Sequence, residues 1–167
     1  MRNTSFGTRL FWDWQASEVR YPGLAGRIAE LRQQGIRFLG YVNPYLCADG
    51  ALFQKGDAAG YFATDAEGRT ALVDFGEFDC GVVDFTNPDA ANWFAERVIG
   101  QNMLDIGLSG WMVDFGEYLP IDVHLHTCSD PRLMHNAWPV LWAEVNAPAV
   151  ASRKQIGEAL FFMRARL

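Results

Sequence analysis

Gly110-Trp111-Met112-Val113-Asp114-Phe115-Gly116-Glu117-Tyr118-Leu119-Pro120 is the stretch on which the reading of this chain turns. Its first four residues are mostly apolar and too few for a helix, so they read as a buried strand. Asp114 follows directly, where the strand gives way to a loop rich in polar and ring residues, and Glu117 comes three residues later. A loop of that shape can aim two carboxylates into one cleft.

Working outward from there, strand-like and helix-like segments alternate. Upstream, Asn87-Pro88 opens a helix whose apolar face runs through Ala91, Phe94, Val98, Met103 and Ile106 until Gly107 ends it. In the segment Val82–Phe85 (VVDF), Asp84 is placed to cap that helix. Downstream, residues 135–151 repeat Trp138, Leu141, Trp142 and Val145 at helical spacing, with His135 and Asn136 at the start. Ala159–Met163 then reads as another apolar strand, closing on Arg164. Nearer the N-terminus, Arg9–Trp14 (RLFWDW) reads as a compact aromatic strand, Leu24, Ile28 and Leu31 as a helix stopped by Gly35, and Ile36–Asn43 as a buried strand closed by Pro44. Residues 45–83 are irregular, with Tyr61–Thr64 and Thr70–Phe75 flanking a hairpin turn at Asp65-Ala66-Glu67-Gly68.

This order is a βα repeat, so the fold class is α/β with a parallel sheet under helices. A doubly wound sheet and a (β/α)8 barrel both fit. No G-x-G-x-x-G and no G-x-x-x-x-G-K-[ST] follows any strand, which removes the usual nucleotide signatures. A complete barrel takes eight strands and about 250 residues. Four barrel-like strands are legible here, with a fifth possible, so a barrel built from these residues is a partial one. In barrels the chemistry sits at the C-terminal strand ends, where Trp12, Asp13, Asn43, Asp114, Glu117 and Arg164 fall.

The totals add bounds. Of 167 residues half are hydrophobic, enough to bury a core, and the net charge of -6 argues against a nucleic-acid partner. Six tryptophans suit a sugar-like ligand, whose apolar faces stack on indoles, although such rings more often fill a core. Cys47, Cys80 and Cys128 make no C-x-x-C pair, so no zinc or redox motif is present, and an odd number without a framework fits buried free thiols in a reducing compartment, so a cytoplasmic protein is expected. No run approaches the ~18 apolar residues of a membrane span, and MRNTSFGTRL lacks the apolar core of a signal peptide.

Read as residues alone, Asp114 suits glycoside hydrolysis, which needs a carboxylate beside an oxocarbenium-like centre, and equally a helix cap or an arginine partner. Arg9 and Trp12, three apart, either clamp an anionic group or stack on each other in the core. Arg164, a charge at the end of an apolar strand, needs a carboxylate or a ligand oxygen. His124 and His126 stand two apart without a third ligand, so no metal site is expected.

The Gly110–Pro120 stretch closely resembles the nucleophile strand of glycoside hydrolase family 31, and its sulfoquinovosidase branch more than the α-glucosidases. VDFTNP (Val83–Pro88), HNAWPVLWA (His135–Ala143) and ALFFMRA (Ala159–Ala165) resemble flanking segments of the family in the right order. GTRLFWDW (Gly7–Trp14) is similar to the segment where sulfoquinovosidases set an arginine and a tryptophan on the sugar's sulfonate. The resemblance runs nearly the whole chain and implies a (β/α)8 TIM barrel domain across 1–167, incomplete and carrying an irregular hairpin insertion around 45–83. It implies a retaining double displacement with Asp114 as nucleophile, Arg9 and Trp12 on the sulfonate, Arg164 near the sugar hydroxyls and Glu117 orienting its neighbours. It implies no cofactor and no metal, and a small carbohydrate substrate, a sulfoquinovoside or an α-glucoside. The family's general acid is a further aspartate past the MRA segment, so these residues alone are expected to be inactive. The rival readings are an α-glucosidase or α-xylosidase of the same family and a non-catalytic sugar-binding remnant. The sequence leaves the oligomeric state open.

Overall fold

A computed structural model describes residues 2–4, 7–9, 11–153 and 157–163, with strand backbone alone for the first two stretches. Its centre is a parallel sheet of β3 (Leu39–Val42), β7 (Gly110–Val113) and β8 (Leu160–Met163), in the spatial order β3-β7-β8. Leu39 pairs with Gly110 and Val42 with Val113 on one side, while Gly110 pairs with Leu160 and Val113 with Met163 on the other. All three strands therefore end at one level. Parallel neighbours require crossovers, and here they are helical. α3 (Pro88–Phe94) runs on as π-helical turns over Ala95–Leu104 between β3 and β7, and α4 (Pro131–Ser152) joins β7 to β8. Neighbours in sequence are neighbours in space, as in a barrel wall. A doubly wound sheet would reverse that order at its switch point.

Local chemistry explains these boundaries. At Gly110 an added Cβ would stand 2.1 Å from the Leu160 carbonyl oxygen, so β8 can lie against β7 only because that residue has no side chain. Pro88 begins α3 behind an N-cap, but the cap is Asn87, whose side chain accepts from Asp89 N–H at 3.0 Å, and not Asp84. Asp84 instead accepts from Thr86 N–H at 2.9 Å and from His126 N–H at 2.6 Å, so it ties the loop after β7 to the segment that leads into α3. α4 likewise starts at Pro131 behind Asp130, one turn earlier than the Trp and Leu spacing suggested.

One predicted strand is absent. Gly7–Arg9 (β2) pairs antiparallel with Arg2–Thr4 (β1), outside the parallel sheet, and residues 11–14 are not a strand. Trp12 exchanges backbone contacts with β4 (Tyr45–Cys47): Cys47 N–H donates to the Trp12 carbonyl at 2.9 Å and Trp12 N–H to Cys47 Sγ at 3.3 Å. Trp14 then turns away with a φ of 45° and donates its indole N–H to the Tyr45 carbonyl at 2.7 Å. The ring-rich run satisfies its backbone against β4 and packs its rings instead of joining a ladder. Three barrel-like strands, rather than four, thus stand among the described residues.

The segment 45–83 builds a second, antiparallel sheet in the order β4-β6-β5, with β5 at Leu72–Asp74, β6 at Asp79–Val82 and α2 at Ala51–Ala58. It holds two turns where one was predicted. Asp65 organises the first by accepting from Glu67 and Arg69 N–H at 3.0 and 2.9 Å. Gly76 and Glu77, with φ of 77° and 68°, make the second, a two-residue hairpin of the type whose twist suits its strands.

The main core lies between β7 and the helices. Trp111, Trp138, Trp142 and Phe94 are fully buried there, and Phe85 stacks on Trp142 with centroids 5.2 Å apart. Trp111 donates to Asn146 Oδ1 at 2.8 Å and Asn146 donates on to the Trp142 carbonyl at 2.7 Å, so the polar atoms of Trp111 and Asn146 are paired as burial demands. No helix of the described residues is long and apolar enough to cross a membrane.

The parallel sheet has two edges among the described residues, and Leu39, Leu160 and Phe162 on them are 44%, 63% and 46% exposed. Unpaired strand edges beside apolar surface promote association. Residues 1–167 expressed alone are expected to oligomerise or precipitate and to melt without a sharp transition. A monodisperse, cooperatively melting monomer in size-exclusion and thermal-melt measurements would contradict this.

Candidate active site

Asp114 is the first residue past β7. Its N–H donates to the Val42 carbonyl at 3.0 Å, continuing the ladder one step beyond the strand, and the residue is only 5% exposed. Two separate elements grip it. Trp142 on α4 donates its indole N–H to the Asp114 carbonyl at 3.0 Å, and Tyr41 on β3 donates its phenol O–H to Asp114 Oδ2 at 2.9 Å. Behind Tyr41, Asn43 Nδ2 lies 3.3 Å from the phenol oxygen.

Phe115 takes a φ of 58°, the left-handed region, which a bulky residue enters only under constraint. That turn swings the chain off β7 and leaves the Asp114 side chain at the rim. The constraint is visible: the Phe115 ring lies 5.7 Å from Trp12, 6.1 Å from Phe75 and 5.3 Å from Tyr118. Trp12, 8% exposed, meets Phe75 and Phe78 edge-on at 4.8 and 5.4 Å and stacks on Trp14 at 6.4 Å. Such edge-on and offset pairs add to the area they bury. An aromatic cluster thus packs around the residue that follows Asp114.

Tyr45 closes the site from beneath. Its phenol donates to the Tyr118 carbonyl at 2.5 Å, fastening the loop after Asp114 to β4. Burial pushes the Tyr45 phenol well above its ordinary ionisation range, and the charges of Cys80, Glu117 and Tyr118 push the same way. Glu117 itself stands half-buried in the turn of that loop.

Trp12 thus packs on Phe115, the residue after Asp114, with Glu117 on the loop that follows. Arg9 ends β2, and its side chain lies outside the described residues, as does all of Arg164, which follows Met163. Asp13 serves the framework: its carboxylate accepts from Leu52 N–H at 2.9 Å in the first turn of α2. Tyr41 and Tyr45 were not singled out in the sequence. Tyr41 hides in an apolar strand run, where a ring reads as core; the Asn43-Pro44 pair beside it was the available signal. Among the described residues no three His, Cys, Asp or Glu side chains are grouped to hold a metal ion. A cavity of about 420 Å³ lies apart from the carboxylate's partners on α4, along the β3 edge, lined by Phe11, Trp14, Tyr21, Phe38, Tyr41 and Met103.

A buried carboxylate just past the C-terminal end of a parallel strand stands where barrels carry their chemistry. The chain belongs to glycoside hydrolase family 31, since the profile of the glycosyl hydrolases family 31 TIM-barrel domain matches residues 2–167. Within that family it is 73% identical over 165 residues to a sulfoquinovosidase of Agrobacterium fabrum, covering 99% of this chain and 25% of that protein. It is 50% identical over 165 residues to the sulfoquinovosidase of Escherichia coli, covering 99% of this chain and 24% of that one. The solved structure of a family 31 sulfoquinovosidase from E. rectale, in complex with an aza-sugar inhibitor, superposes with a TM-score of 0.93 at 53% identity, over 99% of this chain and 25% of its own. The chain spans about a quarter of the length of these relatives.

The clasp at Tyr45 can be tested in a chimera that carries this chain in place of the matched quarter of the Agrobacterium fabrum protein. Tyr45→Phe is expected to cost about 1–2 kcal/mol in urea melts near neutral pH. The raised phenol gives the sign of the pH effect: its stabilisation is complete below the ordinary tyrosine value of about 10 and drains away as pH climbs toward the folded value. The gap between parent and variant should therefore narrow above about pH 10. A gap that widened with alkalinity would contradict the assignment.

Proposed function

We propose that this chain supplies the nucleophile-bearing part of the catalytic barrel of a retaining α-glycosidase that hydrolyses α-sulfoquinovosides. The observation that carries the reading is Asp114: a buried carboxylate at a barrel-strand end, in a chain 73% identical to a sulfoquinovosidase. In the double displacement, one Asp114 oxygen attacks the anomeric carbon as the glycosidic bond breaks, forming a glycosyl-enzyme ester. A general acid outside these residues protonates the leaving oxygen and then, as a base, takes a proton from the water that cleaves the ester. The two carboxyl groups of such a pair stand about 5–5.5 Å apart. No step draws on a metal or a cofactor.

In this reading residues 1–167 are catalytic-barrel sequence, with the antiparallel sheet of 45–83 inserted between β3 and α3 to support the rim. Arg9 and Trp12 hold the sulfonate: a guanidinium gives two charge-assisted hydrogen bonds to such a group, and Trp12 already borders the Asp114 cluster. Arg164 serves the sugar hydroxyls, and Glu117 orients the loop. The partner is a small carbohydrate, and the net charge of -6 gives nucleic acid no basic face. The cytoplasm is the compartment we assign, supported by an odd number of cysteines, Cys47, Cys80 and Cys128, without a disulfide framework in the sequence.

In the same chimera, Asp114→Asn is expected to fold and to abolish turnover, because an amide cannot act as the nucleophile. A mechanism-based glycosyl label should attach to Asp114; attachment to Glu117 would reassign the role. Arg9→Ala should cost turnover of a sulfoquinovoside about 2–3 kcal/mol more than turnover of the matching glucoside. Equal losses on both substrates would favour a structural arginine and a glucosidase-type specificity.

A further inference from the structure

We propose that Tyr41 and Asn43 form a one-way hydrogen-bond relay that fixes the Asp114 carboxylate, which makes Tyr41 a positioning residue for the reaction. The inference rests on the nucleophile reading of Asp114 and deepens it.

The direction of the relay follows from donors that cannot reverse. The Tyr45 backbone N–H can only donate, and it meets Asn43 Oδ1 at 3.0 Å. That contact closes a turn in which an Asn side chain accepts from the backbone two residues on, and Pro44 between them holds Asn43 extended. With Oδ1 committed, the other end of the Asn43 amide is NH2, a donor with no acceptor capacity. It lies 3.3 Å from the Tyr41 oxygen, which must therefore accept. A phenol has one hydrogen, and its lone pairs now face Asn43. The O–H is left to point at Asp114 Oδ2, 2.9 Å away.

Each link is held by the fold. Tyr41 and Val42 pair with Met112 and Val113, so the two strands set Tyr41 and Asp114 in fixed register. Asn43 is fully buried, so water does not compete for its amide. Trp14 packs on the Tyr41 ring with centroids 6.1 Å apart. Asp114 is thus obliged to offer a lone pair at Oδ2, which an ionised carboxylate does. A hydrogen bond of this kind locks the rotamer of the carboxylate. As the ester forms, negative charge leaves the carboxylate, and the phenol that held the anion holds the ester oxygen in the same place.

The test uses the chimera with the Agrobacterium fabrum protein. Tyr41→Phe keeps the ring and removes the hydroxyl; kcat should fall about 10- to 100-fold with KM within about twofold. Asn43→Asp keeps the turn with Tyr45 N–H but replaces the amide donor with an acceptor, which draws the phenol hydrogen away from Asp114. Its kcat should fall at least as far as that of Tyr41→Phe, and the melting midpoint of Tyr41→Phe, which buries no new charge, should stay near the parent. Loss confined to KM, or a Tyr41→Phe kcat within about twofold of the parent, overturns the relay. If the unaltered chimera hydrolyses nothing, the glycosidase reading fails on its own, and the relay is decided by a crystal structure of that chimera. A Tyr41 oxygen within hydrogen-bond distance of the Asp114 carboxylate supports it, and one beyond about 3.5 Å overturns it.

Discussion

β7 is held in parallel register on both flanks, and the rest of the rim depends on that double pairing. Leu39–Val42 and Leu160–Met163 fix its height, and the absent side chain of Gly110 lets β8 come close. Because the three strands end level, the residues after them emerge on one plane: Asn43 after β3, Asp114 after β7. A slip of one residue in either pairing would turn Asp114 toward the opposite face of the sheet, since side chains alternate along a strand. Placement of the carboxylate is thus a property of the sheet before it is a property of the loop.

The loop contributes direction. Phe115 in the left-handed region carries strain on the order of 1–3 kcal/mol, and the surrounding rings oppose its release. Trp12, Phe75 and Tyr118 surround the Phe115 ring, and Tyr45 anchors the following turn through the Tyr118 carbonyl. The antiparallel sheet of 45–83 supplies Tyr45, Phe75 and Phe78 to this cluster, so the segment least regular in sequence is what backs the most demanding turn in the structure. Asp13, by capping α2, ties residues 12–14 into the same support.

Much of this was legible in the residues. Short apolar runs marked all three parallel strands, and the 3.6-residue spacing marked the helices around 24–33, 88–104 and 131–152, because both patterns record which face is buried; α2 was missed inside the segment read as irregular. RLFWDW was misread because rings favour strands by fitting a half-buried surface, and a ring cluster without a ladder offers the same fit. Asp84 was misassigned because a capping carboxylate and a loop-tying carboxylate look alike until partners are known, and Asn87 stood closer to Pro88. Asp114 and Trp12 were singled out from their position at segment ends. Tyr41 was not, because its hydroxyl meets a partner 73 residues away that no local pattern records.

Asp114 is gripped at its backbone by Trp142 and at its side chain by Tyr41, one from α4 and the other from β3. Positions 41, 114 and 142 are thus one mechanical unit spread over a hundred residues of chain. Drift at any one of them is felt at the carboxylate. As this chain diverges, those three positions should change in concert, and the signature of its chemistry in a set of descendants would be a correlation among distant sites more than the persistence of a local word.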